Sequence, residues 1–180
     1  LVDMQMHAND WYVRQARTLL QYRAVNKKLD ATLVHSKLTA LFESAASPPK
    51  KLRAMWALYV TEGLDQDRLL GLLGHEDAYV RAWAIQFLCD SSSINAFQPQ
   101  ASSSWTPEAS VLRQLSTLAE SDPSPVVRLY LASAIQRLPF SQRWSILKGL
   151  LAHQEDVVDN NLPRMYWFAL EPMVPLFPNK

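Results

Sequence analysis

The residues best able to do chemistry are four histidines, one cysteine, a small carboxylate cluster and a series of spaced arginines. A metal or haem site needs two or more ligands at close spacing. His7, His75 and His153 instead sit singly, after Met6, Leu72-Leu73-Gly74 and Leu150-Leu151-Ala152, and His35 is isolated on a polar-apolar helix. Their favoured role is at a helix C-terminus, where imidazole bonds terminal carbonyls and, when protonated, suits the dipole. Glu155, Asp156 and Asp159 form the tightest acidic cluster. Paired carboxylates can perform acid-base work or hold a cation, but a solvated turn that caps the following helix is the simpler reading. Cys89 ends the apolar run Val80–Leu88 and reads as a half-buried structural thiol rather than a nucleophile. The sequence contains no GxSxG, P-loop or GxGxxG pattern. Trp56, Trp83 and Trp167 invite a stacking site for sugars, yet they fall at core-face positions where packing explains them.

The arginines carry the most information because they recur inside one phrase, an aliphatic residue followed by Arg. It reads Asp10-Trp-Tyr-Val13-Arg14, Asp77-Ala-Tyr-Val80-Arg81 and Ser124-Pro-Val-Val127-Arg128, with weaker forms at Leu52-Arg53 and Pro163-Arg164. Separations of 39, 28, 47 and 36 residues are those of stacked helical hairpins. Asp10, Asp77 and Ser124 each precede the Arg by four residues, where a short oxygen-bearing side chain caps a helix. The arginines then point to the neighbouring turn and bond the capping Asp of the adjacent repeat. Asp10, Arg14, Arg53, Asp77, Arg81, Ser124, Arg128 and Arg164 thus form an expected structural ladder, not a ligand site.

Elements able to hold such a ladder must be helices. Glycine numbers only four, alternating β-branched runs are almost absent, and Leu, Ala, Gln and Arg recur at helical spacing. The expected fold is all-α, an α-α superhelix of about five hairpins in one domain over residues 1–180, the first hairpin incomplete. A first helix at 10–24 is followed by hairpins 30–46 with 49–62, 65–73 with 77–89, 106–120 with 124–138, and 141–153 with 160–172. In the second helices Met55, Trp56 and Tyr59, then Trp83, Ala84 and Phe87, then Tyr130, Leu131 and Ala134 make the packing face. Arg17 breaks that pattern and requires the open end of the stack or a partner. Residues 90–106 read as a long inter-repeat loop, with Ile94, Phe97 and Trp105 folding back. A start in mid-hairpin suggests a piece of a longer protein.

Composition narrows the function classes. Eighteen basic against seventeen acidic side chains give +1, without the excess that drives nucleic-acid or anionic-membrane binding. The charge is uneven: residues 1–60 hold nine basic and four acidic residues, residues 61–180 nine and thirteen. One cysteine excludes an intrachain disulfide and a CxxCH haem attachment within these residues. No stretch approaches a membrane span, and the first residues lack a signal-peptide pattern.

Asp122-Pro-Ser-Pro-Val-Val-Arg128, followed by Ala132 and Ala134-Ile135, resembles a HEAT repeat. The runs His7-Ala-Asn-Asp-Trp-Tyr-Val-Arg14, Leu52-Arg-Ala-Met-Trp-Ala-Leu-Tyr-Val-Thr61, Tyr79-Val-Arg-Ala-Trp-Ala-Ile85 and Leu162-Pro-Arg-Met-Tyr-Trp-Phe168 are similar to the helical segment of bacterial predicted membrane-bound dehydrogenases. In that family a sorbosone-dehydrogenase-like propeller precedes the helical segment and a c-type haem domain follows it. The resemblance implies a non-catalytic spacer that docks neighbouring domains of its own chain, in the periplasm or cell envelope. Haem c would then belong to a neighbouring domain, and this segment would hold no cofactor or metal. HEAT-like repeats also occur in DNA glycosylase-type domains and chromophore lyases. The net negative charge of residues 61–180 opposes the first, and only Glu155, Asp156 and Asp159 could serve the second.

Overall fold

A computed structural model describes residues 1–90 and 107–174. Every regular element among them is helical, so the fold class is all-α. The expected loop at 90–106, with Ile94, Phe97 and Trp105, lies outside the described residues apart from Asp90. The α-helices are α1 (Asp10–Val25), α2 (Ala31–Ser44), α3 (Pro48–Val60), α4 (Gln66–Leu72), α5 (Ala78–Leu88), α6 (Ala109–Ser121), α7 (Pro125–Ala134), α8 (Phe140–Leu151) and α9 (Leu162–Leu170). Short 3₁₀ turns at Asp3–Met6, Ile135–Arg137, Gln154–Val158 and Glu171–Met173 join or extend them. The chain divides into two compact units, Leu1–Arg68 and Leu69–Lys180.

In the first unit α2 packs on α3, and α1 and the N-terminal 3₁₀ turn also pack on α3. Val2, Leu20, Leu38, Ala57 and Leu58 form its core, flanked by Leu29, Val34, Leu41 and Leu64. Fully burying each large aliphatic side chain contributes about 1.5–3 kcal/mol, which is why three short helices suffice to close around one another. Both α1 and α3 end in Schellman-type turns. Lys28 N–H donates to Arg23 O at 2.8 Å and Gly63 N–H to Leu58 O at 2.8 Å, with Lys27 (φ 54°) and Glu62 (φ 62°) in the left-handed region. Gly63 itself is needed for space: a Cβ there would come within 2.7 Å of the His35 ring, whose Nε2 donates to Thr61 O at 2.8 Å.

In the second unit the second helices of the hairpins pack in succession, α5 on α7 and α7 on α9, while α6 packs on α8. Val111, Leu115 and Ala119 recur every four residues, so one stripe of α6 is buried while Arg113, Gln114 and Thr117 face out. Gly149 allows α6 and α8 to approach closely, since a Cβ there would meet the Ala119 backbone carbon at 3.0 Å. The helix expected at 124–138 is shorter. It tightens to 3₁₀ at Ile135–Arg137 because Pro139 disfavours helical geometry at Leu138 and the carbonyls at this end are taken by a side chain. That side chain is Arg143, which donates from Nε to Leu138 O at 2.8 Å and from Nη2 to Gln136 O at 2.7 Å.

The tryptophans divide. Trp56 and Trp83 are half-buried, Trp83 lying against Phe87 and Tyr130 at ring separations of 5.4 and 6.0 Å. Trp167, expected in the core, is 52% exposed, because Leu162, Tyr166 and Ala169 form the buried stripe of α9 and Trp167 lies off it. Arg17 is half-buried with its guanidinium over the Trp56 ring at 5.1 Å, so its aberrant charge at a packing position meets an aromatic face.

Candidate functional site

The polar residues singled out by spacing converge on the turns that open the second helices. In the second unit Arg81 reaches forward to Asp122 through two bonds, Nε to Oδ2 at 2.7 Å and Nη2 to Oδ1 at 2.9 Å. Its Nη1 donates at 2.9 Å to both His75 O and Glu76 O, the carbonyls of its own turn. Arg128 repeats the arrangement: Nη1 donates to Asp122 O at 3.0 Å, Nε to Asp156 Oδ2 at 2.7 Å, and Nη2 to Asp156 Oδ1. Tyr166 adds an O–H donor to Asp156 Oδ2 at 2.6 Å. Side chains of Asp122, Arg128 and Asp156 are all buried. The planar guanidinium suits this role because it binds a carboxylate with two parallel N–H groups and still has one edge for a carbonyl.

Burial alone would raise the Asp156 pKa, but the hydrogen bonds from Arg128 and Tyr166 hold it below the ordinary carboxylate value. The Asp156 hydrogen bond raises Arg128 in turn. Burial, then the bond to Asp156, pushes the Tyr166 phenol well up. All three groups are therefore held in their ordinary charge states at neutral pH, which suits a fixed strut and opposes proton transfer.

In the first unit the ladder is shorter. Arg53 donates from Nη1 to His7 O at 3.1 Å and lies 3.2 Å from Asp10. Arg14 pairs with Asp10 at 2.9 Å, one turn away on the same helix, with its side chain 67% exposed. Asp10 does not cap α1. Asn9 does, accepting Trp11 N–H at 2.9 Å, so the cap falls one residue earlier and Arg14 is turned to solvent. Asp77 caps α5 by accepting from Tyr79 N–H at 2.9 Å and Val80 N–H at 3.1 Å. Ser124 occupies the cap position of α7 without a side-chain cap bond, and Asp122 instead accepts Ser124 N–H at 2.9 Å. Arg164 is exposed and takes no part in the ladder, since Tyr166 is the α9 residue that meets Asp156.

The acidic cluster is split rather than solvated as a whole. Asp156 is buried in the ion pair, Asp159 accepts from Asn161 N–H and Leu162 N–H at 2.7 and 2.9 Å, and Glu155 is exposed beside His153. Those backbone bonds lower the Asp159 pKa, and a backbone bond followed by the His153 bond lowers that of Glu155. The histidines do more than bond terminal carbonyls. The Nδ1 atoms of His7 and His75 accept N–H from Asn9 and Asp77, each at 3.0 Å, so both rings order the start of the next helix. His153 spans Ala119 O at 2.9 Å and the Glu155 carboxylate at 2.8 Å. Among the described residues no three His, Cys, Asp or Glu side chains are grouped to hold a metal ion.

Sequence reasoning missed Asp122, Tyr166 and Arg143 as structural polar residues. Asp122 lay in the quoted phrase, two residues before the assigned cap, and was legible as an Asp that could bond the N–H two residues on. Tyr166 and Arg143 carried no local signal. Arg143 is buried and over the Phe140 ring at 4.5 Å, and burial lowers its pKa to about 10. Beside the ladder lies a groove of about 460 Å³, lined by Leu151, Val157, Trp167 and Leu170 with His153, Asp156 and Tyr166 at its polar edge. No protein-family model, curated protein or solved structure matches the chain.

Proposed function

We propose that residues 1–180 act as a non-catalytic helical-repeat scaffold, a HEAT-like solenoid segment that holds a propeller dehydrogenase domain and a c-type haem domain in one larger redox protein. The observation that carries the non-catalytic part is the saturation of the ladder. The carboxylates of Asp122 and Asp156 and the guanidinium groups of Arg81 and Arg128 are spent on one another and on turn carbonyls. Each oxygen of these two carboxylates accepts from an arginine, and although Asp156 reaches the polar edge of the groove, its Oδ1 and Oδ2 are held there by Arg128 and Tyr166. The redox context rests on the sequence resemblance alone.

Haem c does not fit this segment, because its attachment needs two cysteines in CxxCH and the chain has only Cys89. That thiol is buried, and burial raises its pKa to about 12. The haem belongs, on this reading, to a neighbouring domain. Absorbance and intact-mass measurements on the full-length protein test it. A haem spectrum with covalent haem mass, together with a propeller segment, supports the assignment, and a full-length protein with neither overturns it.

A further inference from the structure

The first unit carries a charge imbalance that the second does not. In the second unit each ladder arginine has a carboxylate of its own, Arg81 with Asp122 and Arg128 with Asp156. Where α1 packs on α3, three arginines gather around one carboxylate. Asp10, Arg14 and Arg17 stand at i, i+4 and i+7 on one face of α1, and Arg53 and Trp56 meet that face from α3. Arg14 Nε lies 2.9 Å from Asp10 Oδ2 and Arg53 Nη2 lies 3.2 Å from Oδ1, so both oxygens of the carboxylate are engaged. Arg17 rests its guanidinium over the Trp56 ring, which attracts the charge but accepts none of its N–H bonds in the ring plane. Among the described residues its Nη1 is shut from solvent and has no hydrogen-bond partner. Folded chains ordinarily avoid a buried donor without an acceptor, above all a charged one. Burial lowers the Arg17 pKa; Asp10 opposes that, and the positive charges of Arg14 and Arg53 add to it. The seam thus holds an excess of two positive charges, and it opens to solvent where the Arg14 side chain is 67% exposed and that of Asp10 51%.

We propose that this seam of the first unit is an anion site for a phosphate-type dianion, either free phosphate or the phosphoryl group of a small metabolite, held by Arg14 and Arg17. A dianion neutralises the excess charge, and its tetrahedral oxygens can serve two guanidinium forks at once. Arg53, tied to His7 O at 3.1 Å, fixes Asp10 as the back of the site. Binding turns the Arg17 guanidinium toward the ligand and gives it the acceptor it lacks. The site lies wholly within Leu1–Arg68 and is independent of the scaffold reading. Isothermal titration calorimetry of inorganic phosphate, and separately of glycerol phosphate, into the full chain tests it. The titrations run at about pH 8, where both ligands are mainly dianionic, with ionic strength held constant by chloride. The expected result is saturable binding at one site per chain, weakened about tenfold or more in Arg14→Gln and in Arg17→Gln. Arg23→Gln, at an exposed position on another face of α1, should bind like wild type. Arg14→Gln decides the result if Arg17→Gln loses native circular dichroism. Equal affinity for the two ligands points to free phosphate, and tighter binding of the ester to a phosphorylated metabolite. Absence of saturable binding above the chloride control would overturn the proposal, as would seam variants that weaken binding no more than Arg23→Gln does.

Discussion

Asp122 serves two arginines through different atoms, the carboxylate taking Arg81 and the carbonyl taking Arg128. Asp156 is placed likewise but adds a phenol in place of a further arginine. Removing one member of such a buried pair leaves the other desolvated, so Arg128→Met is expected to cost about 3–5 kcal/mol in urea unfolding at neutral pH. Arg128→Met combined with Asp156→Leu should recover most of that loss, because both desolvated charges then disappear. The lowered Asp156 pKa also fixes a pH dependence. A carboxylate depressed on folding contributes stability above its unfolded value near about 4, and loses that contribution as pH falls through the folded value. Stability is thus expected to be level above about pH 5 and to fall in acid, with a shallower fall in Asp156→Asn, measured by unfolding midpoints across pH. At this scale the sequence was half legible. The aliphatic-Arg phrase marks the donors, whereas the acceptors lie 41 and 28 residues away and carry no sign that they pair with a particular arginine.

Helix starts set where those arginines point. A cap one residue earlier than Asp10 is enough to leave Arg14 in solvent, while the Asp77 cap places Arg81 over its turn. Asp77→Ala is therefore expected to cost about 1 kcal/mol, and Ser124→Ala close to none, because only Asp77 bonds first-turn N–H groups. Parallel thermal melts of the two variants distinguish them. Helix positions were readable from periodicity: the helix expected at 77–89 is Ala78–Leu88, and that at 30–46 is Ala31–Ser44. The close approach of α6 and α8 was not readable, since a glycine in a helix gives no hint of what it faces. Gly149→Ala gains helix propensity of about 1 kcal/mol but must push against the Ala119 backbone. The expected net is a loss of about 1–2 kcal/mol, seen as a lower denaturant midpoint.

Over the whole molecule, the all-α class follows from what the sequence lacks as much as from what it contains: few glycines and almost no alternating β-branched runs. The two compact units, Leu1–Arg68 and Leu69–Lys180, were not foreseen, because helical periodicity continues across that boundary as α4. Charge asymmetry was visible in composition, but the exposure of Trp11, Tyr22 and Trp167 was not. Trp167 satisfies a helical core spacing in sequence and still lies outside the buried stripe of α9. Periodicity identifies a face only when the helix has one partner surface; α9 presents residues to α7, to α8 and to solvent.

Cys89 closes α5 with its side chain fully buried and its thiol pushed up to about 12. The lone thiol is therefore a native-state clock. An alkylating reagent reaches it only when the C-terminal turn of α5 opens, so the labelling rate relative to a free thiol measures the free energy of that opening. Labelling in native buffer is expected to be slowed by orders of magnitude relative to a free cysteine and to accelerate in Arg128→Met if the strut stabilises α5 as well as α7. Rapid labelling of the wild-type chain would mean that α5 breathes independently of the ladder at its N-terminus.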